Sequence, residues 1–152
     1  TMRKQMINRS AVSAFVLVST LMLGFSPLAQ AACQATDIKG IWTLNGAYWT
    51  PVSDVAADIG WFTCKIQMNK DGRINANQSS CKDENGATTS ITAGRLQVKQ
   101  SCRVSGPIKF GGGTNIDVSN GQMSPDGHEQ ISATGKLSNG PREYLMTFTR
   151  RP

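Results

Sequence analysis

Between residues 61 and 81 the chain reads WFTCKIQMNKDGRINANQSSC, and its polar and apolar positions alternate. Phe62, Cys64, Ile66 and Met68 fall on one face, whereas Trp61, Thr63, Lys65, Gln67 and Asn69 fall on the other. This is the period of a half-buried strand. Lys70, Asp71 and Gly72 supply turn chemistry, since Asp-Gly accepts the positive φ angles of tight hairpin turns. The alternation resumes with Ile74 and Ala76 against Arg73, Asn75 and Asn77. The pattern predicts one β-hairpin with a cysteine on each arm.

Further strand signals recur at short intervals over 39–44, 91–98, 102–110, 115–118, 130–137 and 143–150. Between them stand glycine, asparagine, serine and proline clusters at 111–113, 119–121, 124–127 and 138–141, and the polar loop KDENGATTS. Residues 45–60 are less regular, and Val52 to Ile59 are expected to form a short helix or a covering loop. About eight short strands separated by turns predict an all-β domain. A single antiparallel barrel is favoured, with a β-sandwich as the alternative.

Residues 1–31 have the pattern of a secretory signal peptide. Arg3, Lys4 and Arg9 precede a largely apolar run over 11–25, and Ala29-Gln30-Ala31 forms an A-x-A cleavage site. The run is shorter than the roughly 18 apolar residues that argue for a membrane span. Its style is bacterial, so the expected destination is the periplasm or the exterior, and 32–152 is expected to be one domain. Cys33 follows the site closely enough to raise lipid anchoring. A bacterial lipobox resembles Leu-Ala-Gly-Cys, however, and the polar Gln30 stands where the leucine would be. Soluble export, with no membrane insertion after cleavage, is therefore preferred.

Without residues 1–31 the chain carries thirteen basic and ten acidic residues, a net charge of +3 rather than +6. The basic residues are spread out rather than massed on one segment, which argues against nucleic-acid binding. All four cysteines, Cys33, Cys64, Cys81 and Cys102, lie past residue 31. An even count in an exported chain reads as two disulfides, with three connectivities open. Closure of the hairpin favours Cys64 with Cys81, leaving Cys33 with Cys102.

Catalytic motifs are missing from the sequence. His128 is the single histidine, there is no CxxC, and no HExxH, GxSxG or phosphate-binding glycine loop occurs. Asp54 and Asp58, at i and i+4, are read as carboxylates stabilising a helix start. His128, beside Asp126 and Glu129, is read as a solvated turn histidine. The expectation is a non-enzyme without metal or cofactor. Aromatic side chains do gather, with Tyr48, Trp49, Trp61 and Phe62 around the irregular segment. Tyr48, Trp49 and Trp61 are the candidate ligand-binding residues, Trp61 being the most exposed, unless the group merely covers a barrel end.

Gly40-Ile41-Trp42 resembles the GxW motif that opens the first strand of calycins, the superfamily of lipocalins, avidins and small bacterial metalloprotease inhibitors. In that family a basic residue of the last strand packs across the tryptophan. The resemblance implies structural roles for Trp42 and for Arg150 or Arg151. It also implies a barrel that binds a small ligand in its mouth or an exported protein such as a protease. The cysteine-led strand at Cys64 and the second cysteine at Cys81 are similar to the bacterial inhibitors. The tail from Phe148 to Arg151 is like that of short exported bacterial proteins of unknown function, which implies a fold only. The competing expectation is a structural or surface-assembly protein that self-associates as a homo-oligomer through strand edges.

Overall fold

The computed structural model describes residues 32–51 and 59–152. The expected signal peptide and most of the expected helix or loop insertion, Asp54 and Asp58 included, lie outside the described residues. Among the described residues nine strands are formed: β1 (Gly40–Trp49), β2 (Ile59–Met68), β3 (Ser80–Asp83), β4 (Thr88–Gly94), β5 (Gln97–Val98), β6 (Arg103–Phe110), β7 (Asn115–Met123), β8 (Gln130–Leu137) and β9 (Glu143–Arg150). Two short 3-10 turns, Ala35–Ile38 and Ala76–Gln78, accompany them.

The strands follow the order β4-β3-β2-β1-β9-β8-β7-β6-β5, and a β4–β6 pairing closes the ring. The result is an eight-stranded antiparallel barrel, not a sandwich, with β5 as an extra strand. Gly94 pairs with Ile108, and Gln97 with Ser105, so β5 continues β4 along β6. Between them, Leu96 N–H donates to the Gly72 carbonyl and Arg95 N–H to that of Pro107.

Several boundaries differ from the sequence pattern. β1 runs on to Trp49, because residues 45–49 pair with β2 on one side and β9 on the other. The hairpin after Met68 does not resume at once. Arg73 and Ile74 make only isolated bridges, Asn75 accepts from Asn77 N–H to cap the Ala76–Gln78 turn, and pairing with β2 returns at Ser80. The end of the expected loop KDENGATTS is already β4. Residues 119–121, which read as a turn, lie inside β7 at a register shift between Val118 and Gln122. There Gly121 lies against the Val104 carbonyl, where no side chain fits. Glycine signals of this kind mark bulges as readily as turns.

The core follows the alternation. Phe62, Cys64, Ile66 and Met68 of β2 and Tyr144, Met146 and Phe148 of β9 are buried. Burial of such side chains stabilises a fold by about 1.5–3 kcal/mol each. At one end the barrel is sealed by Ala35–Ile38, whose Ile38 is fully buried. Disulfides join Cys64 to Cys81 within the β2–β3 pair and Cys33 to Cys102 at the sealed end. Among the described residues, no helix is long and apolar enough to cross a membrane.

Candidate ligand site at the barrel mouth

At the end opposite the seal, the inward faces of β1, β2 and β9 place Tyr48, Phe62 and Tyr144 together. The register explains why these rings fit. Gly46 pairs with Phe62 and Gly60 with Tyr48, so each ring lies across a glycine of the neighbouring strand. A methyl group at Gly46 would collide with the Phe62 ring, and one at Gly60 with the Tyr48 phenol. Tyr144 pairs with Tyr48 on the other side of β1. Its ring centroid lies 6.1 Å from that of Tyr48 and 6.0 Å from that of Phe62, the latter edge-on. These are favourable aromatic separations.

Phe110 from the end of β6 and Ile116 from the start of β7 complete the apolar wall of a cavity of about 220 Å³. Its rim is polar and includes Lys82, Asp83, Thr89, Thr114 and Arg142. Arg142 stacks its guanidinium 4.4 Å from the Tyr48 ring centroid. The Tyr48 hydroxyl donates to Glu84 Oε1 at 3.2 Å, while Glu84 Oε2 accepts from Trp61 N–H at 3.3 Å. The orientation of Tyr48 is thus held from two sides. Burial raises the Tyr144 phenol above its ordinary pKa of 10.0, and the charge and hydrogen bonding of Arg142 offset part of that rise. A cavity of this kind offers flat apolar walls for ring packing and polar groups where a ligand's solvated end would emerge.

The expected aromatic platform is divided by strand alternation. Tyr48 lines the cavity. Trp61 faces outward, 56% exposed, across Ala47 from Leu145, which is 56% exposed. Trp49 shares that outer face of β1 and pairs with Ile59 and Glu143. Trp61 and Trp49 are therefore not cavity residues. Phe110, Ile116, Arg142 and Tyr144 are; the sequence pattern placed Phe110, Ile116 and Tyr144 on strands but singled out none of the four as a site residue.

The sealed end carries the GxW geometry. Trp42 is fully buried, and its indole N–H donates to the Ile38 carbonyl at 2.8 Å. The Arg150 guanidinium lies 4.9 Å from the Trp42 ring centroid and donates to the Asp37 carbonyl. His128 stands in a turn, as expected, but its side chain is not solvated. Its side chain is only 22% exposed, with Nδ1 3.5 Å from Asp37 Oδ2. The reason is tertiary: the β8–β9 end, where Arg150 N–H donates to the Glu129 carbonyl, carries residues 128–129 toward the seal.

No family model matches the chain, and no curated protein matches it. Among solved structures it is similar to a de novo designed fluorescence-activating β-barrel, with a TM-score of 0.54 and 18% identity, over 78% of this chain and 99% of that one. A redesigned β-barrel aligns with a TM-score of 0.48 and 18% identity, over 82% of this chain and 98% of that one. At such identity the first likeness is one of fold, and it agrees with the strand pairing: the chain is a closed eight-stranded antiparallel barrel.

Proposed function

We propose that this protein is an exported, non-enzymatic binding module that takes a small ligand with a flat apolar body into the barrel mouth. The observation that carries this reading is the cavity walled by Tyr48, Phe62, Phe110, Ile116 and Tyr144 beneath a polar rim. Its volume of about 220 Å³ lies below the roughly 300–1,000 Å³ of sites for drug-sized molecules, so the ligand is small. Two disulfides and the signal-like segment over 1–31 support export. Strand-edge assembly is less well supported, because each of the eight strands in the ring has a neighbour on both sides. A protein partner is the second reading, favoured by the outward-facing Ile59, Trp61 and Leu145.

The test is native mass spectrometry of the oxidised protein from its host, paired with titration of an anilinonaphthalene sulfonate dye. Thr89 lines the cavity opposite Cys81 in the register, and Thr89→Trp should fill the mouth. The expected result is a reproducible small-molecule adduct and saturable dye fluorescence, both lost in Thr89→Trp. A bare chain with dye fluorescence that is unchanged in the variant would overturn the proposal.

A further inference from the structure

The sealed end holds a second concentration of chemistry. Among the described residues, the non-glycine residues with positive φ are Cys102, at 61°, and His128, at 53°. Such backbone is disfavoured for side-chain-bearing residues and persists where its surroundings enforce it. Both residues belong to one cluster. The sulfur of Cys33, a carboxylate oxygen of Asp37 and a ring nitrogen of His128 all lie within 4.8 Å of one another, and Cys102 is bonded to that sulfur. The Nε2 atom of His128 is buried and has no hydrogen-bond partner. A buried imidazole nitrogen left unmatched calls for an explanation.

While the disulfide is intact, neither sulfur is a thiolate and the set is a poor metal ligand. Reduction changes it. A dithiol reductant transfers two electrons and two protons, becoming a disulfide itself and leaving Cys33 and Cys102 as thiols. One sulfur, one imidazole and one carboxylate already lie within 4.8 Å of one another, the second sulfur is released from its bond to the first, and all three donor types are zinc ligands. We propose that the Cys33–Cys102 clasp has a second form: in the reduced protein, Cys33, Cys102, His128 and Asp37 bind one Zn²⁺ ion, which replaces the covalent tie. Binding displaces the two thiol protons. Two thiolates, the Asp37 carboxylate and Zn²⁺ sum to one negative charge, and Arg150, donating to the Asp37 carbonyl, supplies the balancing cation. Asp37 Oδ2 accepts from Gln34 N–H at 2.6 Å, a contact that orients the carboxylate. In either redox state the seal over the core would stay in place.

The full chain is reduced with dithiothreitol, freed of the reductant under argon, and titrated with Zn²⁺ against a chromophoric chelator, with Co²⁺ as a spectroscopic probe of thiolate ligation. One Zn²⁺ per reduced chain, none per oxidised chain, and a thermal midpoint of the reduced protein that rises with Zn²⁺ are expected. His128→Gln and Asp37→Asn should each weaken binding by more than about tenfold, or about 1.4 kcal/mol. Cys33→Ser/Cys102→Ser should abolish it, whereas Cys64→Ser/Cys81→Ser should retain it. Reduced protein that takes up no Zn²⁺, or takes it up with equal affinity in His128→Gln, would overturn the proposal. Because both single variants can be purified oxidised, with the disulfide holding the fold, a folding failure of the cysteine variants does not blunt the test.

Discussion

Replacing Trp42 by phenylalanine removes three contributions at once. The indole N–H bond to the Ile38 carbonyl is lost at a fully buried site, and a buried group deprived of its partner costs about 1–3 kcal/mol. The smaller ring leaves unfilled space. Complete Trp→Ala truncations cost about 3–5 kcal/mol, so a partial truncation should cost about 1–2 kcal/mol. The Arg150 guanidinium, now 4.9 Å from the ring centroid, would face a poorer π surface, worth a further ~0.5 kcal/mol. The expected loss is about 3–5 kcal/mol, a large share of the roughly 5–15 kcal/mol typical of a domain.

Urea unfolding of the oxidised protein, followed by far-ultraviolet circular dichroism, measures that loss. The midpoint should fall while the slope stays constant, as it does when stability changes without a change in the surface exposed. The melting temperature should drop by roughly 10 °C or more. Combining Trp42→Phe with Arg150→Met in a double-mutant cycle should give a coupling of at least about 0.5 kcal/mol. A loss below about 1 kcal/mol with no coupling would refute the claim that Trp42 and Arg150 lock the sealed end.

The disulfides and the mouth tyrosine give further predictions. On the chain-entropy model, the separations of 69 and 17 residues make Cys33→Ala/Cys102→Ala cost about 4 kcal/mol and Cys64→Ala/Cys81→Ala about 3 kcal/mol; denaturant midpoints showing the reverse order would contradict that account. Tyr144 has a folded-state pKa raised above 10.0 by burial, so the folded protein retains the phenolic proton more strongly than the unfolded chain does. The associated stability is complete below pH ~10 and is lost as pH rises through the folded-state value. Tyr144→Phe should remove this alkaline decline, and ultraviolet titration of the wild type should show a phenol ionising later than a free tyrosine.

The parts of the fold that are local in the chain were legible. β8 and β9 occupy the residues whose alternation predicted them, 130–137 and 143–150. Alternation failed where pairing partners override local signals: Gly121 reads as a turn but serves a bulge, and residues 45–49 look irregular yet are gripped between β2 and β9. Of the three candidate ligand residues, Tyr48 lines the mouth because its parity along β1 matches that of Trp42 and Leu44. Trp49 and Trp61 have the opposite parity, and each faces outward.

By itself the sequence determined the all-β class, the disulfide-bearing hairpin and the two faces of its first arm, because side-chain direction repeats every two residues whatever lies beyond. It also supplied the Trp42 and Arg150 pair through the calycin-like motif. Only the tertiary structure decided that the sheet closes, since closure depends on β4 meeting β6 across residues that carry no mutual signal. The same holds for both barrel ends. The mouth draws on seven strands, and the seal brings Asp37 to His128 from opposite ends of the domain. Such meetings are set by register summed around the ring, which no local window of sequence contains.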